Sequence, residues 1–144
     1  MVYDDCMFEH CLYFNTTSLA RDLEREWSRA FKPFGLTPPQ AFMLRYILDK
    51  QAITTTDLSA GLNIAKATCS RTVDGLIGLG LIKRAPAPKD ARSHELQPTT
   101  KAQEMREGIN HASADVTRRI KKIIGSEEFE TTVKTLRSIS TAIR

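Results

Sequence analysis

Apolar residues recur every three or four positions along most of the chain, which is the spacing of one buried helix face. The first such stretch predicts one long amphipathic helix over residues 7–32, which Pro33 and Gly35 are expected to end. Thr37 then begins a capping-box pattern that Gln40 completes. A second helix should follow, and its buried side is predicted to hold Ala41, Leu44, Ile47 and Leu48.

The central third of the chain predicts a helix-turn-helix. A second capping pattern at residues 54–57 opens a short helix, and a tight turn at 61–64 follows it. The next helix is predicted from about Lys66 to Leu79, where Gly80 would stop it. Its inward side is predicted to hold Cys69, Val73 and Leu76, and its outward side Lys66, Ala67, Ser70, Arg71 and Asp74.

A small β-hairpin is predicted after this helix. Residues 81–85 predict a strand, and residues 94–97 can return as its partner. The segment between them, residues 86–92, is so rich in proline and charge that we assign it to a loop. The fold class predicted is mainly α, with a small β-wing of two or three strands.

Both ends of the chain are predicted to be helical and more apolar than the middle can cover. Thr99 caps a long helix, Gly125 and Ser126 break it, and a last helix follows. A helix whose apolar face has no partner in its own chain usually finds one in another chain, so we expect a homodimer. The single domain, 1–144, would have a central lobe over 37–98 and a dimerisation lobe formed by 1–36 and 99–144.

Composition removes several function classes. The chain has 144 residues, of which 26% are charged, and this fits one globular domain with no membrane partner. The acidic N-terminus lacks the apolar stretch of a secretory signal. Three cysteines without a CxxC pair favour a reducing cytoplasm over a disulfide scaffold. No catalytic motif or metal-ligand spacing is present, so we expect no enzyme, no metal and no cofactor.

The positive charge is concentrated in the middle of the chain. Residues 66–92 hold six basic and two acidic residues, whereas the rest of the chain is balanced and the whole carries a formal charge of +4. A basic patch on a balanced chain is the footprint expected for a polyanion such as double-stranded DNA. The alternative is an ordinary solvated surface.

Residues 66–76, 79–84 and 90–92 together resemble the MarR family of bacterial winged helix-turn-helix transcription regulators. In one-letter code these segments are KATCSRTVDGL, LGLIKR and DAR, at the family's spacing of helix, glycine, strand, basic pair and Asp-x-Arg. The resemblance implies a winged helix that binds DNA, flanked by long dimerisation helices. It also implies that the protein is a cytoplasmic homodimeric repressor. An effector would release this repressor from an inverted-repeat operator.

The predicted DNA contacts divide by chemistry. The N-terminal half of the recognition helix should face base edges in the major groove, where an arginine can pair with guanine. Lys83, Arg84 and Lys89 should bind phosphates. Arg92 is the candidate for the minor groove, and the resemblance implies that Asp90 orients a basic residue there. The helix residues predicted to contact DNA are Lys66, Ala67, Thr68, Ser70 and Arg71.

Each of these cations also has an ordinary structural interpretation. Arg71 could form a surface ion pair with Asp74, and Arg84 and Lys89 could belong to a solvated hairpin.

The resemblance also implies an effector site between the two lobes, for a small aromatic or phenolic molecule. The polar, aromatic or small residues that would line it are Asn15, Ser18, Ala41, Phe42, Arg45 and Tyr46, and ordinary packing is the alternative for each.

Two other functions stay open. Cys11 resembles the thiol of the oxidant-sensing branch of the family, with a buried structural thiol as the alternative. The winged helix could also serve as a protein–protein module without DNA.

Overall fold

Local helix-starting and helix-ending signals set the order of elements in the computed structural model, which describes residues 6–144 and the side chains of 8–89 and 94–144. The helices are α1 (Cys6–Glu9), α2 (Leu12–Phe31), α3 (Pro38–Lys50), α4 (Thr55–Leu62), α5 (Lys66–Gly78), α6 (Thr100–Ile124) and α7 (Ser126–Ala142), with a 3₁₀ turn at Lys32–Phe34. The strands are β1 (Ile53–Thr54), β2 (Ile82–Ala87) and β3 (Asp90–Pro98). They form one antiparallel sheet in the order β1-β3-β2.

The first predicted helix is interrupted at residues 10–11, so the expectation of one helix over 7–32 is wrong at its N-terminal end. Cys11 has an extended backbone (φ −83°, ψ 119°), and its Sγ accepts a hydrogen bond from the Phe14 N–H at 3.4 Å. The Asn15 amide donates to the Phe8 and Glu9 carbonyls before the break and to the Cys11 carbonyl within it. Side-chain hydrogen bonds of this kind compete with helical ones and start a new helix here.

The other helix starts agree with their sequence signals. Thr37 and Gln40 form the full capping box, with both reciprocal hydrogen bonds present. Thr54 Oγ1 accepts the Asp57 N–H at 3.2 Å, and Thr99 Oγ1 accepts the Ala102 N–H at 3.3 Å. Gly35 ends the first helical segment in the left-handed conformation (φ 70°), as a C-terminal glycine should.

The wing strands are longer than predicted, so the assignment of 86–92 to a loop is wrong. Pro86 pairs with His94, and Ala87 pairs with Asp90 after a shift in register. The shift is possible because β2 is an edge strand of the sheet, where a missing proline N–H breaks no ladder on the open side. Only Pro88 and Lys89 separate the two strands.

The hydrophobic core lies in the central lobe and is closed by α2 and α6. Leu44, Ile47 and Leu76 are fully buried in this lobe, as are Phe31 from α2 and Ile109 from α6 where these helices pack against it. In α7, by contrast, no residue is buried. None of the helices that the structure describes is long and apolar enough to cross a membrane.

Gly61 marks a close approach of α4 to α3. A Cβ at this position would lie 2.6 Å from the Cζ of Tyr46. We therefore expect Gly61→Ala to lower the free energy of unfolding by about 1–3 kcal/mol, because the ring must shift within a packed lobe.

Urea denaturation measures this effect, and Gly78→Ala is the matched control. Gly78 also lies in a helix but has open space around its Cβ position. The control should keep or gain stability, by up to about 1 kcal/mol. Equal stability of the two variants would contradict the close packing of Tyr46.

Candidate nucleic-acid interface

α4 and α5 form a helix-turn-helix whose second helix has one buried and one exposed side. Asn63 makes the turn in the left-handed conformation (φ 54°, ψ 50°). Cys69, Val73 and Leu76 are fully buried, as the spacing predicts. The residues predicted to contact DNA are exposed on the other side: Lys66, Ala67, Thr68, Ser70 and Arg71.

The N-terminus of α5 leaves backbone N–H groups free for a ligand. Ala65 occupies the cap position and provides no side-chain hydrogen bond. The Cys69 N–H bonds to the Ala65 carbonyl at 2.9 Å, so the N–H groups of the preceding first turn have no partner within the helix. Such a terminus carries partial positive charge and suits a phosphate oxygen.

Arg71 does not pair with Asp74, so this alternative for Arg71 is wrong. Its Nη2 lies 3.4 Å from Thr68 Oγ1 on the same exposed side of the helix. Asp74 instead accepts from Arg84 Nη2 of β2 at 3.3 Å. The Asp74–Arg84 pair therefore joins the recognition helix to the wing, a role for Asp74 that the sequence did not indicate.

The wing adds further cations to the same surface. Lys83 and Arg84 are exposed on β2, and Lys89 is exposed in the turn. The predicted side-chain roles of Asp90 and Arg92 lie outside the described residues.

Two side chains from the start of α6 hold the C-terminal end of α5. Thr99 Oγ1 donates to the Gly80 carbonyl at 2.8 Å, and Lys101 Nζ donates to the Leu79 carbonyl at 3.0 Å. Lysine near a helix C-terminus also opposes the negative end of the helix dipole. These bonds fix the exit of the recognition helix against the start of α6, and only the cap at Thr99 was readable from the sequence.

A largely apolar groove of about 430 Å³ separates α2 from α3. Phe42 is the only one of the six residues predicted for the effector site that lines it. Ala20, Leu23 and Trp27 form the α2 wall, Pro38 and Pro39 join Phe42 on the α3 wall, and Glu24 supplies one carboxylate.

The structure does not bring the other predicted effector residues into this groove. The Asn15 amide is hydrogen-bonded to carbonyls at the break between α1 and α2. Ala41 is fully buried in the core, and Tyr46 packs against Gly61. Ser18 lies half-buried on α2, nearer the N-terminus than the residues that form the groove wall.

Arg45 joins three helices beside the groove. Its Nε donates to Asn110 Oδ1 at 2.7 Å, and its Nη1 donates to Ser113 Oγ at 3.1 Å. Trp27 Nε1 donates to the same hydroxyl at 3.1 Å, and the guanidinium lies 5.1 Å from the Phe42 ring centroid. Burial lowers the pKa of Arg45, and no carboxylate in the described part of the chain pairs with it.

The two cysteines with described side chains have structural roles. Cys11 is half-exposed and caps α2 through its Sγ, which differs from the buried thiol expected as the alternative to redox sensing. Burial raises the pKa of the Cys69 thiol, which lies 3.9 Å from the Thr55 carbonyl oxygen. A raised pKa keeps a thiol protonated and unreactive.

Known proteins resemble this chain in both sequence and fold. A family model described as the MarR family matches residues 34–93. The HTH-type transcriptional regulator BilQ of Clostridioides difficile (strain CD3) is 27% identical over 146 residues, covering 99% of this chain and 98% of BilQ.

Two solved structures with bound DNA share the fold. A mutant of MarR from E. coli complexed with operator DNA gives a TM-score of 0.85 at 22% identity, covering 94% of this chain and 99% of that one. The transcriptional repressor CouR bound to a 23-mer duplex gives 0.86 at 20% identity, covering 97% and 98%. Residues 34–93, which hold the helix-turn-helix and much of the wing, therefore match the MarR family of winged helix-turn-helix transcription regulators in sequence, and the chain as a whole shares the fold of these two DNA-bound proteins.

Proposed function

We propose that this protein is a homodimeric repressor that binds an inverted-repeat operator and leaves it when a small aromatic or phenolic molecule binds. The observation that carries the DNA-binding part is the connected surface of α5 and the wing. The first turn of α5 is uncapped, and Arg71 is exposed on the same helix. The Asp74–Arg84 ion pair then joins α5 to β2, the strand that follows it. A protein that works on chromosomal operators acts in the cytoplasm of a bacterial cell.

The surface offers both kinds of contact that operator recognition needs. The N-terminal half of α5 combines small side chains with Arg71, so the backbone can approach base edges while the arginine reads guanine. Lys83 and Lys89 stand beside it as phosphate ligands, together with Arg84, whose side chain stays half-exposed while it pairs with Asp74. Such contacts supply affinity without sequence choice. Arg92 in the wing is proposed for the minor groove, with Asp90 orienting a neighbouring basic side chain.

Exposed apolar side chains on the terminal helices support the dimer. Ile123 at the end of α6 is 81% exposed, and Ile143 after α7 is 80% exposed. Isolated large hydrophobics are common on surfaces, but a whole helix of 17 residues without one buried side chain is not stable by its own packing. The apolar side chains that a second copy would cover are Leu12, Tyr13, Leu19, Ile123, Ile124, Val133, Leu136 and Ile143.

The groove between α2 and α3 supports the effector. Its walls are aromatic and aliphatic, and Trp27 and Phe42 can stack on an aromatic ring. The groove also lies between a helix of the dimerisation lobe and a helix of the DNA-binding lobe, so a ligand there contacts both.

Salt dependence tests the DNA-binding surface. The logarithm of operator affinity should fall steeply with the logarithm of salt concentration, because bound cations release counterions from DNA. Lys89→Ala should weaken operator and scrambled duplexes equally and lower the slope by about one unit per subunit contact. Fluorescence anisotropy over a salt series measures both quantities.

Lys134→Ala is the matched control, since Lys134 is exposed on α7, outside the proposed DNA surface. It should leave the slope unchanged. A wild-type protein with no measurable affinity for either duplex at low salt would instead indicate a protein–protein module that does not bind DNA.

A further inference from the structure

The recognition helix crosses the first turn of α3 at Gly75. A Cβ on Gly75 would lie 3.1 Å from Nε2 of Gln40, closer than side chains normally pack. Gly75 does not have a positive φ, so its backbone does not require glycine, and a glycine within a helix weakens it. The close contact with Gln40 therefore explains why position 75 holds glycine, which has no Cβ.

Gln40 cannot easily move away from this contact. Its Oε1 accepts the Thr37 N–H at 3.0 Å, and its own N–H donates to Thr37 Oγ1 at 3.4 Å. Pro38 and Pro39 lie between the two residues and fix the backbone of the turn. The bond from the Thr37 N–H therefore limits how far the glutamine side chain can move while the capping box stays intact.

The same turn forms part of the groove. Pro38 and Pro39 line the α3 wall, and Gln40 is the next residue in the chain. One helical turn thus faces the groove with its prolines and touches the recognition helix with its glutamine.

We propose that the close fit of Gln40 against Gly75 sets where α5 lies, so that a side chain added at this contact displaces the recognition helix. The inference rests on the proposed function, because it names a contact on which operator binding depends. Arg71 lies one helical turn before Gly75 on α5, so a small displacement at Gly75 moves the base-reading side chains. The contact can be tested without knowing the effector.

Gly75→Ala adds a methyl group at the contact with Gln40 and should therefore displace α5. We expect this variant to bind its selected operator about tenfold more weakly than the wild type, since side chains in contact are energetically coupled. Gly78→Ala is the control, because it makes the same substitution on the same helix with open space around it. The control should bind within about threefold of the wild type.

A second substitution identifies the contact responsible. Gln40→Ala added to Gly75→Ala removes the obstructing side chain and should restore operator affinity to within about threefold of the wild type. Thr37→Ala added to Gly75→Ala loses the cap but keeps Gln40, and should restore nothing. The ratio of operator to scrambled affinity should follow the same pattern, which a general loss of stability would not produce.

Three results would overturn the proposal: Gly75→Ala binding as well as Gly78→Ala, a Gln40→Ala double variant that stays weak, or a Thr37→Ala double variant that recovers. If Gly75→Ala does not fold, the double variant with Gln40→Ala decides, and normal binding by that folded protein supports the proposal. A wild-type protein that binds no DNA would overturn the proposed function and this inference together, whereas the three results above overturn the inference alone.

Discussion

Replacing Arg71 with alanine is expected to lower affinity for the operator by about tenfold to a hundredfold, while affinity for scrambled DNA changes little. Arg71 lies exposed on the outward side of α5, and Asp74 does not compete for it because that carboxylate pairs with Arg84. A lost bidentate contact to guanine costs about 1–3 kcal/mol at one base pair. The measurement is a binding titration of each duplex at fixed salt.

The control for this variant is Arg21→Ala, which removes the same charge from an exposed position on α2. It should leave both affinities unchanged. If Arg71→Ala weakened the operator and the scrambled duplex by the same factor, Arg71 would be a phosphate ligand. Sequence choice would then come from Thr68, Ser70 and the wing, or from the shape of the DNA.

Leu136→Asp is expected to convert the protein to a monomer and to lower operator affinity by a hundredfold or more. Leu136 is 41% exposed on α7, so a carboxylate there can stay hydrated in the free chain but would be buried uncompensated in a dimer. In a dimer, binding of one recognition helix raises the effective concentration of the other at its half-site. This linkage alone increases the overall affinity by about 10²–10⁴-fold. Sedimentation should change from about twice the 16.2 kDa chain mass to the chain mass itself.

Ser138→Asp adds the same charge to the exposed polar side of α7 and should leave the dimer intact. Circular dichroism of both variants checks that helix content is retained. A Leu136→Asp protein that remains a dimer would mean that the copies meet elsewhere, and a wild-type monomer would remove the dimer from the proposal.

The sequence predicted the order of elements because the signals for each are local. Threonine at positions 37, 54 and 99 caps a helix through bonds to residues three positions away, and such bonds are readable from spacing. The burial of Cys69 and Val73 follows equally from helical periodicity. The exposed side of α5, which is the core of the candidate interface, was predictable for the same reason.

The features that the sequence did not predict depend on contacts between distant segments. Pro86 continues a strand only because β2 lies at the edge of the sheet, which the segment itself does not reveal. The partner of Asp74 comes from the wing, ten residues along the chain, instead of from the same helix. Arg45 is held by Asn110 and Ser113 from α6, so its part in joining helices could not be read from its neighbours.

Selection of bound fragments from a pool of random DNA tests the central claim most directly, since it requires both sequence-specific contacts and two-fold symmetry. We predict that the purified protein enriches an inverted repeat, with half-sites about one helical turn apart from centre to centre. Arg71→Ala should lose preference at matching positions of both half-sites. Recovery of fragments with no common sequence, or of an unpaired half-site, would contradict a homodimer that reads its operator with α5.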